Sequence, residues 1–293
     1  MHLVRRPVLA IVTALALGLG VLGSAPAAQA ATPGEASINA YAKRLGSKIG
    51  SPKGGFATVA QYGKTVTYRS YSKGLLVHNG SATKRVAGSM LSSYNTYGGV
   101  RGTLGAPVIA KNCNAKGNAC IQRFQHGSIY RSSTAKRRVS VSRVSGERSE
   151  LIAVARSQVG YKEPGYRKNK YGKFVNGGRY SNQAWCSFLM SWISSVSGNG
   201  AAIPKRKTFD SFVAAVRKRG NTTDQPAVGR LAFYDYFRDG HPSHVGLIIQ
   251  VRKDTVVTIE GNIDARGASG RPRGVHKVVR PKSKIVFYAT PDL

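Results

Sequence analysis

Three residues far apart in the chain are of types that together perform nucleophilic amide chemistry. Cys186 stands in Asn182-Gln183-Ala184-Trp185-Cys186-Ser187-Phe188-Leu189, a loop feeding a helix, and Cys186, Leu189, Met190 and Ile193 share one helical face. The thiol is thereby placed in a first turn, where backbone amides are unpaired and the positive end of the helix dipole stabilises a thiolate. His244 opens an apolar run, His244-Val245-Gly246-Leu247-Ile248-Ile249, and Ile259-Glu260-Gly261-Asn262 closes another with an acid and an amide. Two neighbouring strands would present an imidazole and its orienting carboxylate to the cysteine: the base takes the thiol proton, and the acid sets the base's tautomer. Taken singly, each residue also fits a plainer reading: a core cysteine, a structural strand histidine, a salt-bridge partner at a strand rim.

The elements that must hold these residues are legible in the periodicity. Leu151, Ile152, Ala155 and Val159 lie on one helical face, with Gly160 placed to end the helix; Phe209, Phe212, Val213 and Val216 repeat the pattern, with Thr208 as N-cap and Gly220 beyond the end. Strands are expected over 231–237, 244–251, 255–260 and 285–289. Helices first and an antiparallel sheet afterwards describe an α+β domain, here from 149 to 293.

The rest of the chain differs in texture. Arg5 and Arg6, the apolar run Val8 to Leu22 and Ala28-Gln29-Ala30 form an export signal over residues 1–30. That run is roughly 15 residues, short of the ~20 that cross a bilayer, so no integral membrane segment is expected and the mature chain should be secreted, extracellular or wall-associated. The formal net charge is +33, and between Glu35 and Glu147 eighteen Lys and Arg occur without one Asp or Glu. A surface of one sign asks for a polyanion, and for an exported protein the candidates are anionic wall polymers, with nucleic acid as the rival. Few stacking aromatics accompany the basic runs, which counts against a specific nucleic-acid partner. Cys113 and Cys120 flank a short turn that a disulfide can staple, leaving Cys186 unpaired. No metal or cofactor is expected: no zinc-ligand spacing and no phosphate-binding Gly-rich motif occurs.

Residues 31–40 read as a leader, 41–133 as a small β-rich module and 134–148, with Lys136-Arg137-Arg138, as a basic linker. Within the module Ile49-Gly50-Ser51-Pro52 returns as Leu104-Gly105-Ala106-Pro107, and Tyr68-Arg69-Ser70 as Tyr130-Arg131-Ser132. Leu-Gly-x-Pro with Phe124 to Tyr130 resembles the LGFP repeat of exported actinobacterial wall proteins, a resemblance that implies a wall anchor.

From 149 onward the chain resembles the CHAP family, cysteine, histidine-dependent amidohydrolases and peptidases of bacterial cell walls. The Trp-Cys-x-x-Leu-x-x-Trp-like block at 185–192, the His-Val-Gly block at 244–246 and the Glu-Gly-Asn block at 260–262 carry it, with 226–235 in place of the family's strand entry. Arg230 stands where that entry usually has Asp. The resemblance implies a papain-like fold, with Cys186 as nucleophile, His244 as base, Glu260 as its orienting acid and Asn262 as a supporting residue; His241 is a decoy. It also implies peptidoglycan as substrate, cut at the muramoyl–L-alanine amide or within the stem peptide or crossbridge. Trp185, Tyr161 and Tyr166 are candidates for lining the groove. Two further readings stay open: a non-catalytic basic wall-binding protein, and an NlpC-type peptidase.

Overall fold

Thr32 opens the first helix. Its hydroxyl accepts from the Glu35 amide at 3.3 Å, and Glu35 Oε2 accepts from the Thr32 amide at 2.8 Å, a reciprocal cap with Pro33 at the first helical position. Helix α1 (Pro33–Leu45) then buries Ile38 with Ile49, Tyr71 and Leu76. The leader expected over 31–40 is therefore a capped, packed helix. The computed structural model describes residues 30–113, 119–264 and 272–293. Residues 1–29, which hold all but the last residue of the export signal expected over 1–30, lie outside the described residues. No helix among the described residues is long and apolar enough to cross a membrane.

Strands β1 (Pro52–Gln61), β2 (Lys64–Tyr71), β3 (Gly74–His78) and β4 (Thr83–Val86) form an antiparallel meander. After α2 (Ser89–Thr96), strands β5 (Asn112–Cys113), β6 (Ala119–Phe124), β7 (Gly127–Ser132) and β8 (Val139–Ser142) form a second one. Cys113 and Cys120 are joined by a disulfide across the β5–β6 pair. The two meanders share a corner. Lys73 N donates to Ile49 O and His126 N to Leu104 O, both at 3.0 Å, so each Leu/Ile-Gly-x-Pro segment clasps the hairpin turn of its own sheet. The second sequence correspondence fails, however: Tyr68 lies in β2, whereas Tyr130 lies in β7, the counterpart of β3. Aligned on the corner, Tyr130 matches Val77.

The stretch 134–148 is not a linker. Its centre is β8, which pairs with β7, and Arg137 N donates to Ser157 O at 3.0 Å. The buried positions of β8 are Ser140 and Ser142, hydroxyl side chains that leave no apolar period to read. The next helix, α3 (Arg148–Gln158), is buried from Ser149 to Ala155 and again at Ser157 and Gln158. One part of its surface packs on β6, β7 and β8, and Leu151 and Ile152 join a single core with Ile121, Tyr130, Trp185, Leu247 and others. Ser128 Oγ and Ser149 Oγ are 2.5 Å apart, and Arg123 pairs with Glu147 at 3.1 Å across the same junction.

Helices α4 (Lys170–Val175), α5 (Cys186–Val196) and α6 (Phe209–Lys218) follow, α6 capped by Thr208 Oγ1, which accepts from Ser211 N at 3.3 Å. Then come β9 (Thr222–Thr223), β10 (Leu231–Tyr234), β11 (His244–Val251), β12 (Thr255–Ile263), β13 (Gly274–Pro281) and β14 (Ile285–Ala289), in one antiparallel sheet ordered β13-β12-β11-β10-β14-β9. The architecture is mixed α/β with antiparallel sheets and few helices. Strand β10 stops at Tyr234, short of the expected Phe237, because the Asp235 carboxylate accepts the amides of Phe237, Arg238 and Gly240 and turns the chain. Strand β13 was not expected at all. Leu231, Phe233, Val245, Leu247 and Ile259 enter the core shared with the helices, while Ala232, Tyr234, Ile248, Val256 and Tyr288 form a separate cluster on the other face. Both faces are covered, so β10 and β11 read as apolar runs.

Candidate active site

Helix α5 begins at Cys186, and its first intrahelical bond runs from Leu189 N to Trp185 O at 3.1 Å. The amides of Cys186, Ser187 and Phe188 precede that bond and have no acceptor within the helix. The start of α5 is pressed onto β12 at a glycine: a Cβ on Gly261 would come within 2.6 Å of Trp185 Cζ3 and 2.9 Å of Leu189 Cδ2. The sequence Glu260-Gly261-Asn262 thus admits the cysteine helix to the strand that carries the acid.

His244 is the first residue of β11, and its Nε2 lies 3.0 Å from Glu260 Oε2. An ionised carboxylate only accepts, so Nε2 donates, and Nδ1 is the nitrogen left to face the Cys186 thiol, which is near enough to shift the imidazole's titration. Glu260 pairs across the sheet with Gly246, where a Cβ would stand 2.6 Å from Glu260 Cγ. The glycine of His-Val-Gly is therefore the space that the carboxylate occupies. Glu260 is 0% exposed and accepts from Thr258 Oγ1 at 2.6 Å, Arg280 Nε at 3.0 Å and Arg280 Nη2 at 2.5 Å. A fully buried carboxylate satisfied in this way is held ionised.

The charges follow from these contacts. Burial works to raise the Glu260 carboxyl, but the hydrogen bonds from Arg280 and His244 prevail and hold it well below the usual carboxylate range. Burial works to lower His244, but the neighbouring Cys186, then Glu260, prevail and raise it. Arg280 in turn stands over the rings of Tyr234 and Tyr236, with centroid distances of 5.5 and 5.4 Å. Tyr236 also stacks on His244 at 5.3 Å, so one ring bridges the imidazole and the guanidinium. Burial and the neighbouring Glu260 push the Tyr236 phenol upward, with a smaller contribution from Cys186.

The structure thus brings Cys186, His244 and Glu260 together and adds Arg280, Thr258, Gly246 and Tyr236, none of which the sequence reading singled out for this place. Thr258 had a signal, since it lies two residues before Glu260 on one strand face. Arg280 had none, because it reaches Glu260 only through the pairing of β12 with β13. Asn262 lies at a register shift in β12 with φ +67°, and its Oδ1 accepts from Arg273 Nη1 at 3.1 Å; among the described residues it makes no hydrogen bond to His244. Trp185 does not line a groove. It is fully buried, stacks on Tyr171 at 5.3 Å and donates Nε1 to Glu163 Oε2 at 3.0 Å. Tyr161 is partly buried against the core and accepts from Lys170 N at 3.3 Å, while Tyr166 is exposed beneath the guanidinium of Arg167. His241 lies in the exposed turn before β11. The described residues contain no cluster of metal-ligating side chains.

Comparison with known proteins locates one part of the chain. The LGFP repeat family matches residues 104–143, which span β5 to β8 and run past the boundary expected at 133. No curated protein matches. Among solved structures, "The crystal structure of Ly7917" is 16% identical with a TM-score of 0.32, covering 49% of this chain and 62% of that one. "The crystal structure of Ly7917 with the hydrolyzing product of MDP" gives 18% and 0.31 with the same coverage. This chain spans less than two thirds of Ly7917, and likeness at this level assigns it neither fold nor activity.

Proposed function

We propose that the chain is an exported cysteine hydrolase of bacterial peptidoglycan, with an export signal over 1–30, a wall-binding part ending in the LGFP repeat, and a CHAP-type catalytic part of papain-like fold over 149–293. The observation that carries this reading is the bond from His244 Nε2 to the buried, Arg280-clamped Glu260, with Cys186 at the start of α5 near enough to the imidazole to raise its pKa. That arrangement is what thiol attack on an amide requires, and an inert core cysteine needs none of it.

In the proposed reaction the Cys186 proton passes to His244 Nδ1, and the sulfur attacks the amide carbonyl carbon. The C=O π electrons move onto oxygen, and amides at the start of α5 hold the oxyanion. His244 then gives its proton to the amine nitrogen as the C–N bond breaks, leaving a thioester on Cys186. Water, deprotonated by His244, attacks the thioester; the carboxylic acid leaves and the thiol regains its proton. Glu260 stabilises the imidazolium in both halves and keeps Nε2 as the donor to itself, so that Nδ1 faces the sulfur. Substrate amides are those of the muramoyl–L-alanine bond, stem peptide or crossbridge.

One observation favours the rival reading, wall binding without catalysis: Cys186 is 1% exposed and His244 4%. The test is release of new amino groups from purified peptidoglycan by the wild-type protein beside Cys186→Ala and His244→Ala. Loss of amine release by about 10³-fold or more in both variants is expected. Equal behaviour of all three would leave a basic wall-binding protein.

A further inference from the structure

Helix α3 is buried along its length except at its first residue and at Arg156, which emerges into a 660 Å³ cleft between β8 and the β11–β13 end of the large sheet. Four other cations reach the same cleft. Arg137 and Arg143 flank β8, Arg252 follows β11, and Lys277 stands on the edge strand β13. No acidic residue lines it, and among the described residues none of the five makes an ion pair. Burial pushes the Arg156 guanidinium downward, and the nearby Arg137 and Arg143 push it the same way. Between the cations the floor is aliphatic, made by Val141, Val159, Ile249 and Val257, and one ring, Tyr97, lies under the Arg143 guanidinium at 5.9 Å.

Gathering five cations costs electrostatic free energy unless an anion returns it, and the number and spread of the cations call for repeated negative charges. We propose that this cleft is a binding site for an anionic glycopolymer, a saccharide or polyol chain bearing repeated phosphate or carboxylate groups. The aliphatic floor suits the C–H faces of sugars and polyols, whereas single-stranded nucleic acid would use several stacking rings where the cleft has one. The cleft opens on the face of β12 opposite to Thr258 and Glu260, with which Val257 and Ile259 alternate, and none of Cys186, His244, Glu260 and Arg280 lines it. The inference therefore stands whether or not Cys186 is a nucleophile.

The experiment is a binding titration of the full chain with a polyglycerol phosphate oligomer, an oligogalacturonate, neutral dextran and single-stranded DNA of matched charge, over a series of salt concentrations. Arg143→Gln/Arg156→Gln/Lys277→Gln is compared with Lys53→Gln/Lys64→Gln/Lys218→Gln, which removes the same charge from exposed sites outside the cleft. The cleft variant should bind the anionic saccharide or polyol chains at least roughly tenfold more weakly, with a log–log salt slope shallower by about 2, while the control variant changes by less than about twofold. The phosphate and uronate arms then show which anion is preferred, and dextran should not bind. Equal weakening in both variants, or DNA binding the cleft as tightly as the glycopolymers, would overturn the proposal. Loss of amine release from a short soluble muropeptide in the cleft variant would also overturn it, by making the cleft part of the active site.

Discussion

Replacing Arg280 by Met keeps most of the side-chain volume and removes both hydrogen bonds to Glu260. The carboxylate would remain fully buried with only Thr258 and His244 as partners. Breaking a buried pair from one side costs about 3–5 kcal/mol, because the surviving charge is left without its counterion. For a chain of this size, a fall in Tm of roughly 6–20 °C follows at about 2–4 °C per kcal/mol. The pH dependence gives a sharper signature. Glu260 is depressed in the folded wild type, so its ionised form contributes stability above about pH 4.3 and loses it only as pH falls toward about 2. In Arg280→Met the principal influence lowering that carboxyl is gone, so acid unfolding should begin at distinctly higher pH. The acid limb of amine release should move the same way. Thermal melts from pH 3 to 8 for wild type, Arg280→Met, Glu260→Gln and the double variant make the assay, and the double should recover part of the loss. If Arg280→Met melts within about 1 °C of wild type at pH 7, Arg280 does not hold the acid and the reasoning fails.

Two other perturbations test the same site. Burial opposes the charge on His244, but Cys186 and Glu260 raise its pKa to about 9, so its stabilising contribution is complete below about pH 6.5 and disappears as pH rises through 9. Both Tm and the rate of amine release should fall across that interval, and His244→Gln should flatten the alkaline part of the Tm curve. Gly246→Ala places a methyl 2.6 Å from Glu260 Cγ, so a loss of about 1–3 kcal/mol in stability with reduced amine release is expected, and unchanged melting would show that the strand yields freely.

What the chain revealed in advance was whatever sequence neighbours decide. The Cys186 helix, the α6 cap at Thr208 and the strand starting at His244 rest on local periodicity and capping, and the structure has them there. Glu260 follows from two adjacent strands joined by a short turn. Arg280 and β13 depend on a pairing closed across residues 264–274, where no local pattern announces the partner. Residues 134–148 carry no apolar period because β8 buries serines, and 31–40 look like a leader because α1 buries Ile38 on a mostly polar surface, although the Thr32/Glu35 cap is present in the sequence. The second repeat correspondence failed because Tyr-Arg-Ser is short enough to recur on the wrong strand of a hairpin.

The packing of α3 against both the repeat sheet and the helices around Cys186 has a mechanical meaning. A hydrolase tethered to its anchor by a slack chain can sweep a wide patch of wall from one attachment point. Here the junction has no slack, so in the proposed hydrolase the distance from a bound polymer to Cys186 Sγ would be set by the fold, like the arm of a compass. Each anchoring event would then expose a narrow ring of bonds to cutting, and advance along the wall would require release and re-attachment.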